Sequence, residues 1–248
     1  MGRATTRLLT EARYSLRLFF RNPQAMFFSF LFPVLFMIAL GFLLSRQDDD
    51  GQIRYLLPGI IGMSVMFSAI SGTTGTIVKY RANGVFRKIA TTPLTGFELN
   101  TSRIATGTLI VLLSAMITLL MTWLVFGVMP AVNIVSLLVL IVGSITFVCL
   151  GMVIAYLLED TDSVNAVTYV VVIPLILLSG SLFPVVRLPD FLQFVSVFSP
   201  LTYLNDGLRN AMFGGSARDA IVDTGVCCFL CLMLFCTGVA ILMGKEEG

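Results

Sequence analysis

The sequence predicts an all-α integral membrane protein: six transmembrane helices, an N-terminal interfacial elbow helix, a short helix on the cytoplasmic face and short external re-entrant helices. Three observations carry that expectation. Apolar residues make up 57% of the 248 and charged residues only 12%, far from the soluble globular range. The apolar stretches are solid runs of about 20 residues, the length that crosses a bilayer, and lack the alternation of a β-barrel. The basic residues collect at one set of run ends.

The runs place spans at 24–45, 55–78, 103–126, 133–158, 164–182 and 220–244, within a single domain covering 1–248. Of the sixteen Lys and Arg residues, eleven fall on the face that holds both termini: Arg3, Arg7, Arg13, Arg17, Arg21, Lys79, Arg81, Arg87, Lys88, Arg103 and Lys245. Arg46, Arg54, Arg187, Arg209 and Arg218 fall on the other. Both termini are therefore expected in the cytoplasm. The basic residues follow a membrane face and form no recognition motif, so the net charge of +2 implies no nucleic-acid partner. No cleavable signal peptide is expected, because the first apolar run is long and follows about twenty polar and basic residues.

Residues 4–22 place Leu8, Leu9, Ala12, Leu16, Phe19 and Phe20 on one helical face, with Arg7, Arg13, Arg17 and Arg21 mainly on the other. Such a helix lies in the interface with its arginines among lipid headgroups. Asn22-Pro23 ends it. Pro33 and Pro174 fall inside spans 1 and 5, where proline kinks a helix.

Span 2 carries Ser64, Ser68 and Ser71 as a stripe, which reads as a close-packing face or the wall of a wet cavity. Between spans 4 and 5, Glu159, Asp160 and Asp162 reach the cytoplasmic surface. They form a solvated turn in which Asp162 or Ser163 caps the next span, or they touch a cytoplasmic partner. The segment 183–219 is too apolar for a solvated loop and its runs are too short to cross. Leu188, Phe191, Leu192, Val195 and Phe198 share one face; Leu201, Leu204, Leu208, Ala211 and Met212 share another beyond the break at Ser199-Pro200. Two short helices that dip into the outer leaflet and return fit this pattern, and a hairpin flat on the bilayer is the alternative.

Much chemistry is missing. The sequence has no histidine, and its cysteines (Cys149, Cys227, Cys228, Cys231 and Cys236) all fall in apolar runs, so no catalytic or metal residue and no bound cofactor is expected. No ionisable residue sits at the centre of a span, as an ion-coupled carrier would need. No phosphate-binding G-x-x-x-x-G-K-[ST] loop occurs, and this chain cannot hydrolyse ATP by itself. Yet residues 79–100 interrupt the apolar chain with a polar insertion. There Val85, Phe86, Ile89 and Ala90 form one apolar face while Arg87 and Lys88 point away, until Thr92-Pro93 stops the helix. Apolar anchors with charges setting register suit a helix gripped by another protein.

The interfacial helix, the six spans, Arg81, Gly84, Arg87 or Lys88, Thr92, Pro93 and Leu94, and the external "SPLTYLNDGLRN" of Ser199 to Asn210 together carry a resemblance over nearly the whole chain. The sequence resembles the permease subunits of type-2 ATP-binding-cassette exporters, which include daunorubicin-resistance and multidrug efflux permeases. The resemblance implies that 79–100 is a coupling helix docked in a separate ATPase, engaged through Arg81, Gly84, Phe86, Arg87, Lys88, Ile89 and Pro93. It implies two ATPase copies, which bind ATP and Mg, and a second permease copy as homodimer or related heterodimer. Pro200, Tyr203, Asp206 and Arg209 would belong to an external gate. The expected function is export of a hydrophobic or amphipathic substrate, a drug, lipid or lipid-linked glycan, across a prokaryotic plasma membrane. An ion-coupled secondary transporter or a non-transporting signalling subunit is the alternative.

Overall fold

The structure, a computed structural model, describes residues 13–17, 19–21, 23–45, 50–84, 96–158 and 160–246. Among them all regular elements are helical. Residues 13–17 form a helical turn within the stretch expected to lie in the interface, and 1–12 fall outside the described residues. A short α1 (Pro23–Met26) runs through a π-helical turn (Phe27–Leu31) into α2 (Phe32–Ser45). Then follow α3 (Asp50–Ala82), α4 (Gly96–Phe126), α5 (Ile134–Leu157), α6 (Thr161–Leu178), a 3-10 turn (Val185–Arg187), α7 (Asp190–Ser196), α8 (Pro200–Met212) and α9 (Ala217–Glu246).

Among the described residues, four stretches are long and apolar enough to cross a membrane: Ile53–Ala82, Thr101–Phe126, Ile134–Leu157 and Arg218–Thr237. The other two expected spans are helical, but their apolar parts, Ser29–Leu43 and Asp162–Leu178, are shorter. At 1.5 Å per residue α6 is about 27 Å long, just under the roughly 30 Å of hydrocarbon in a typical bilayer. The polar flanks are more helical than hydropathy suggests. Arg54, Arg81 and Arg103, counted above as loop charges, lie inside α3 and α4, since helical hydrogen bonding continues past the point where apolar composition stops.

Local chemistry explains the breaks. Pro33 has no N–H to offer the Ser29 carbonyl four residues back. The chain widens into the π turn, closed by the Phe32 N–H on the Phe27 carbonyl, and the Ser114 hydroxyl of α4 donates to the Ser29 carbonyl instead. Helix α6, by contrast, continues through Pro174. Gly127 (φ +68°) follows α4 in the left-handed conformation that favours glycine. Asn133 then starts α5 with a capping box: its side chain accepts the Ser136 N–H at 2.8 Å, and the Ser136 hydroxyl accepts the Asn133 N–H at 3.1 Å. Asp160 caps α6 by accepting the Ser163 N–H at 3.0 Å. The cap is thus Asp160, not Asp162 or Ser163, because only the residue just before the first turn has the extended backbone that turns its carboxylate onto the free N–H groups.

Helix α3 is the most enclosed of the spanning stretches and α9 the least. Leu57, Ile61, Val65, Met66 and Ile70 of α3 pack with Phe147 and Val148 of α5 and with Leu201, Leu204 and Leu208 of α8. Lipid tails are as apolar as these side chains, so close van der Waals fit and interhelical hydrogen bonds hold such a bundle, rather than removal from water. Two glycines of α3 supply that fit. A Cβ on Gly59 would lie 2.0 Å from the Ser181 carbonyl oxygen, and one on Gly62 would lie 1.9 Å from Asn205 Oδ1.

Candidate functional site

Polar side chains gather at the two ends of the bundle. At the end where α3 stops and α4 starts, the Arg81 guanidinium turns onto α5. It donates to the Leu158 carbonyl at 2.6 Å and the Ala155 carbonyl at 3.0 Å. These carbonyls lie at the C-terminal end of α5, where a cation also complements the negative end of the helix dipole. Gly84 (φ +61°) ends α3.

The candidates Phe86, Arg87, Lys88, Ile89, Pro93 and Glu159 lie outside the described residues. Asp160 and Asp162 are exposed, the former occupied as a cap.

A cluster that the sequence reading missed stands beside Arg81. The Arg103 guanidinium, only 4% exposed, donates to the Tyr156 hydroxyl at 2.7 Å and lies 5.1 Å from the centre of the Tyr80 ring. The Tyr80 hydroxyl meets the Ser15 hydroxyl at 3.2 Å. The available signal was a tyrosine at the end of each of two apolar runs: Tyr80 stands between Lys79 and Arg81, and Tyr156 lies three residues before Glu159.

The serine stripe runs up α3 from there. Ser64 is buried and donates back to the Ile61 carbonyl at 2.9 Å. Ser68 is buried with no hydrogen-bond partner for its hydroxyl, and Ser71 is half-buried.

At the opposite end, the apolar face of α8 expected from its spacing is the buried one: Leu201, Leu204, Leu208, Ala211 and Met212 all point inward. Pro200 opens the helix, where its missing N–H costs nothing. Tyr203 donates to the Val197 carbonyl at 2.8 Å. Arg209 pairs with Asp206 at 2.5 Å, reaches the Gly180 carbonyl at 3.3 Å and stacks 3.9 Å over the Tyr55 ring. Burial pushes the Asp206 carboxyl above its ordinary range, against the pull of Arg209.

The partners of α8 were not foreseen. Ser179, Gly180 and Ser181 form a turn after α6, with Gly180 at φ +67°. Asn205, fully buried, donates to the Ser179 carbonyl at 3.2 Å and the Ser181 hydroxyl at 2.7 Å. Tyr55 donates to the Gly180 carbonyl at 2.7 Å. One three-residue turn thus binds α3 to α8. Helix α8 is held at its other end as well, where the Asn133 amide donates to the Ala211 carbonyl at 2.8 Å. By contrast Phe191 and Phe194 of α7, and Phe198 just beyond it, are exposed.

No three His, Cys, Asp or Glu side chains come together as a metal site among the described residues. The arrangement is that of a helical membrane protein whose helices are joined by polar groups at the bundle ends and by hydroxyls within it. Residues 6–213 match the ABC-2 type transporter family, and the chain belongs to that family, whose members are non-catalytic membrane subunits of transporters.

Among its relatives, Nodulation protein J of Rhizobium leguminosarum bv. viciae is 26% identical over 223 residues, covering 85% of this chain and 83% of the relative. Nodulation protein J of Sinorhizobium fredii (strain NBRC 101917 / NGR234) is 26% identical over 219 residues, with 86% and 83% covered. The linearmycin resistance permease protein LnrN of Bacillus subtilis (strain 168) is 26% identical over 189 residues, covering 74% of this chain and 48% of that protein.

Proposed function

We propose that this chain is the permease subunit of an ATP-driven exporter, forming the translocation pathway and driven by a separate cytoplasmic ABC ATPase. The observation that carries the reading is the family match across residues 6–213, since membership implies association with an ABC ATPase. The six helical runs then each cross a prokaryotic plasma membrane, with both termini and the α3–α4 connection in the cytoplasm. Two permease copies and two ATPase copies make the exporter, and ATP and Mg are bound by the ATPases.

The 79–100 segment is the handle. Closure of the ATPases moves the ends of α3 and α4, and the bundle responds as a rigid body with gating at its outer end. There α8, with Pro200, Tyr203, Asp206 and Arg209, belongs to the gate. A relative named as a linearmycin resistance permease and the apolar, serine-bearing interior support a hydrophobic or amphipathic cargo.

The test is co-purification of this chain with an ABC ATPase, sought first in the neighbouring reading frames, followed by ATP hydrolysis and transport in lipid vesicles. Phe86→Asp and Ile89→Asp are expected to abolish coupling with membrane insertion intact, because a buried unpaired charge at an interface anchor costs several kcal/mol. Full ATPase association and transport in both variants would remove the handle from the mechanism.

A further inference from the structure

We propose that Arg103 is a positioning residue for coupling: its guanidinium ties α4 to the ends of α3 and α5 and, through Tyr80, to the N-terminal helical turn, so that displacement of the α3–α4 junction moves all four together. The proposal rests on the reading above that the α3–α4 connection receives the ATPase.

Tyr80 lies in the last turn of α3, Arg103 about two turns into α4 and Tyr156 at the end of α5. A buried guanidinium persists only where partners hold it. Here the Tyr156 hydroxyl accepts from it at 2.7 Å, and the Tyr80 ring lies beneath it at 5.1 Å. Tyr80 continues the chain of contacts to Ser15 and, ring to ring at 6.0 Å, to Tyr14. Arg81, from the same turn as Tyr80, grips the end of α5 a second time. Apolar packing at this level would let helices slide, whereas a permanently charged guanidinium fork that donates to one helix end and lies over a ring of another couples their positions.

A cavity of about 20 Å³ adjoins the guanidinium, lined by Ser15, Ser68, Thr73, Thr76, Arg103 and Thr106 among others. It has room for one water, and the Ser68 hydroxyl, buried there without a partner, is a ready hydrogen-bonding group. The fork therefore has a second polar place to turn to when the helix ends shift, which a bistable joint requires.

The experiment uses the permease–ATPase complex in lipid nanodiscs, with the native cysteines replaced and a single cysteine at the exposed position 190 of α7. The rate of labelling by an impermeant maleimide is compared without nucleotide and after trapping with ATP and vanadate. In the parent the two rates differ. In Tyr156→Phe the difference is expected to shrink by about tenfold, the weight of one hydrogen bond to a charged group, while ATPase co-purification and basal hydrolysis stay at parental values and the melting temperature falls only by the few degrees that one lost hydrogen bond accounts for. Arg103→Lys, which keeps the charge and loses the fork, is expected to behave likewise.

A parental nucleotide response in both variants overturns the proposal. So does loss of the ATPase in both, or a fall in thermal stability well beyond that of one hydrogen bond, since Arg103 would then be a structural brace. Failure of the parent itself to bind the ATPase or to respond to nucleotide sinks the coupling reading instead, a result distinguishable from either.

Discussion

The side-chain oxygen of Asn205 occupies the place where a side chain on Gly62 would begin: a Cβ there would lie 1.9 Å from Oδ1. The amide nitrogen of the same residue is spent on the Ser179–Ser181 turn, so Asn205 cannot swing aside without giving up both bonds. Gly62→Ala is expected to destabilise the chain by about 2 kcal/mol, the usual scale of overpacking. Asn205→Ala made in the same chain should restore part of it. Melting of the purified protein in detergent measures both, and an unchanged midpoint in Gly62→Ala would contradict the contact.

Ser114 and Pro33 form a second testable pair. Proline strands the Ser29 carbonyl and the Ser114 hydroxyl takes it up, so Ser114→Ala leaves a buried acceptor open at a cost of about 1–3 kcal/mol. With Pro33→Ala the helix regains its own donor, and the cost of Ser114→Ala should shrink. Equal costs in the two backgrounds would mean that the bond across the helices carries no energy.

The pairing of Arg209 with Asp206 is half-exposed, and by itself such a pair is worth under about 1 kcal/mol. Arg209 also stacks on Tyr55 and reaches the Gly180 carbonyl, so its removal loosens α8 from α3 and from the turn after α6. Arg209→Ala is expected to leave the complex assembled but to alter export or basal ATP hydrolysis. Adding Asp206→Asn should recover part of the change, because it removes the stranded carboxylate. Wild-type behaviour in both single variants would reduce α8 to a lid.

Orientation is checked by labelling. Single cysteines at position 83 and position 162, both exposed, should react with an impermeant thiol reagent only after permeabilisation, and one at position 190 should react from outside. The reverse pattern would overturn the side assigned from the distribution of Lys and Arg.

What the sequence conveyed and what it withheld follow from the range of the interactions. Apolar runs, the amphipathic face of α8 and its proline start are local, and they could be read along the chain. Arg103 was taken for a loop charge because composition reports that a cation ends an apolar run, not that tyrosines more than twenty residues before it and more than fifty after it close around it. The Ser179–Ser181 turn was absorbed into the end of a span for the same reason. Its partners, Tyr55 and Asn205, come from other helices, and no spacing rule links them. Gly59 and Gly62 likewise gain meaning only once a carbonyl and an amide arrive beside them.

The π turn at Phe27–Leu31 has a consequence for the first helix as a whole. One extra residue in a turn rotates everything beyond it about the helix axis, so the two halves are out of phase. Met26 just below the turn and Phe30 within it join Phe19 and Ile110 in a small apolar cluster shared with the N-terminal segment. Above it, Phe36, Met37 and Leu40 join the main core. The helix is a splice between two separately packed bodies, with proline and a borrowed serine at the joint, and a tilt of its lower stem with the N-terminal segment need not be transmitted to the upper.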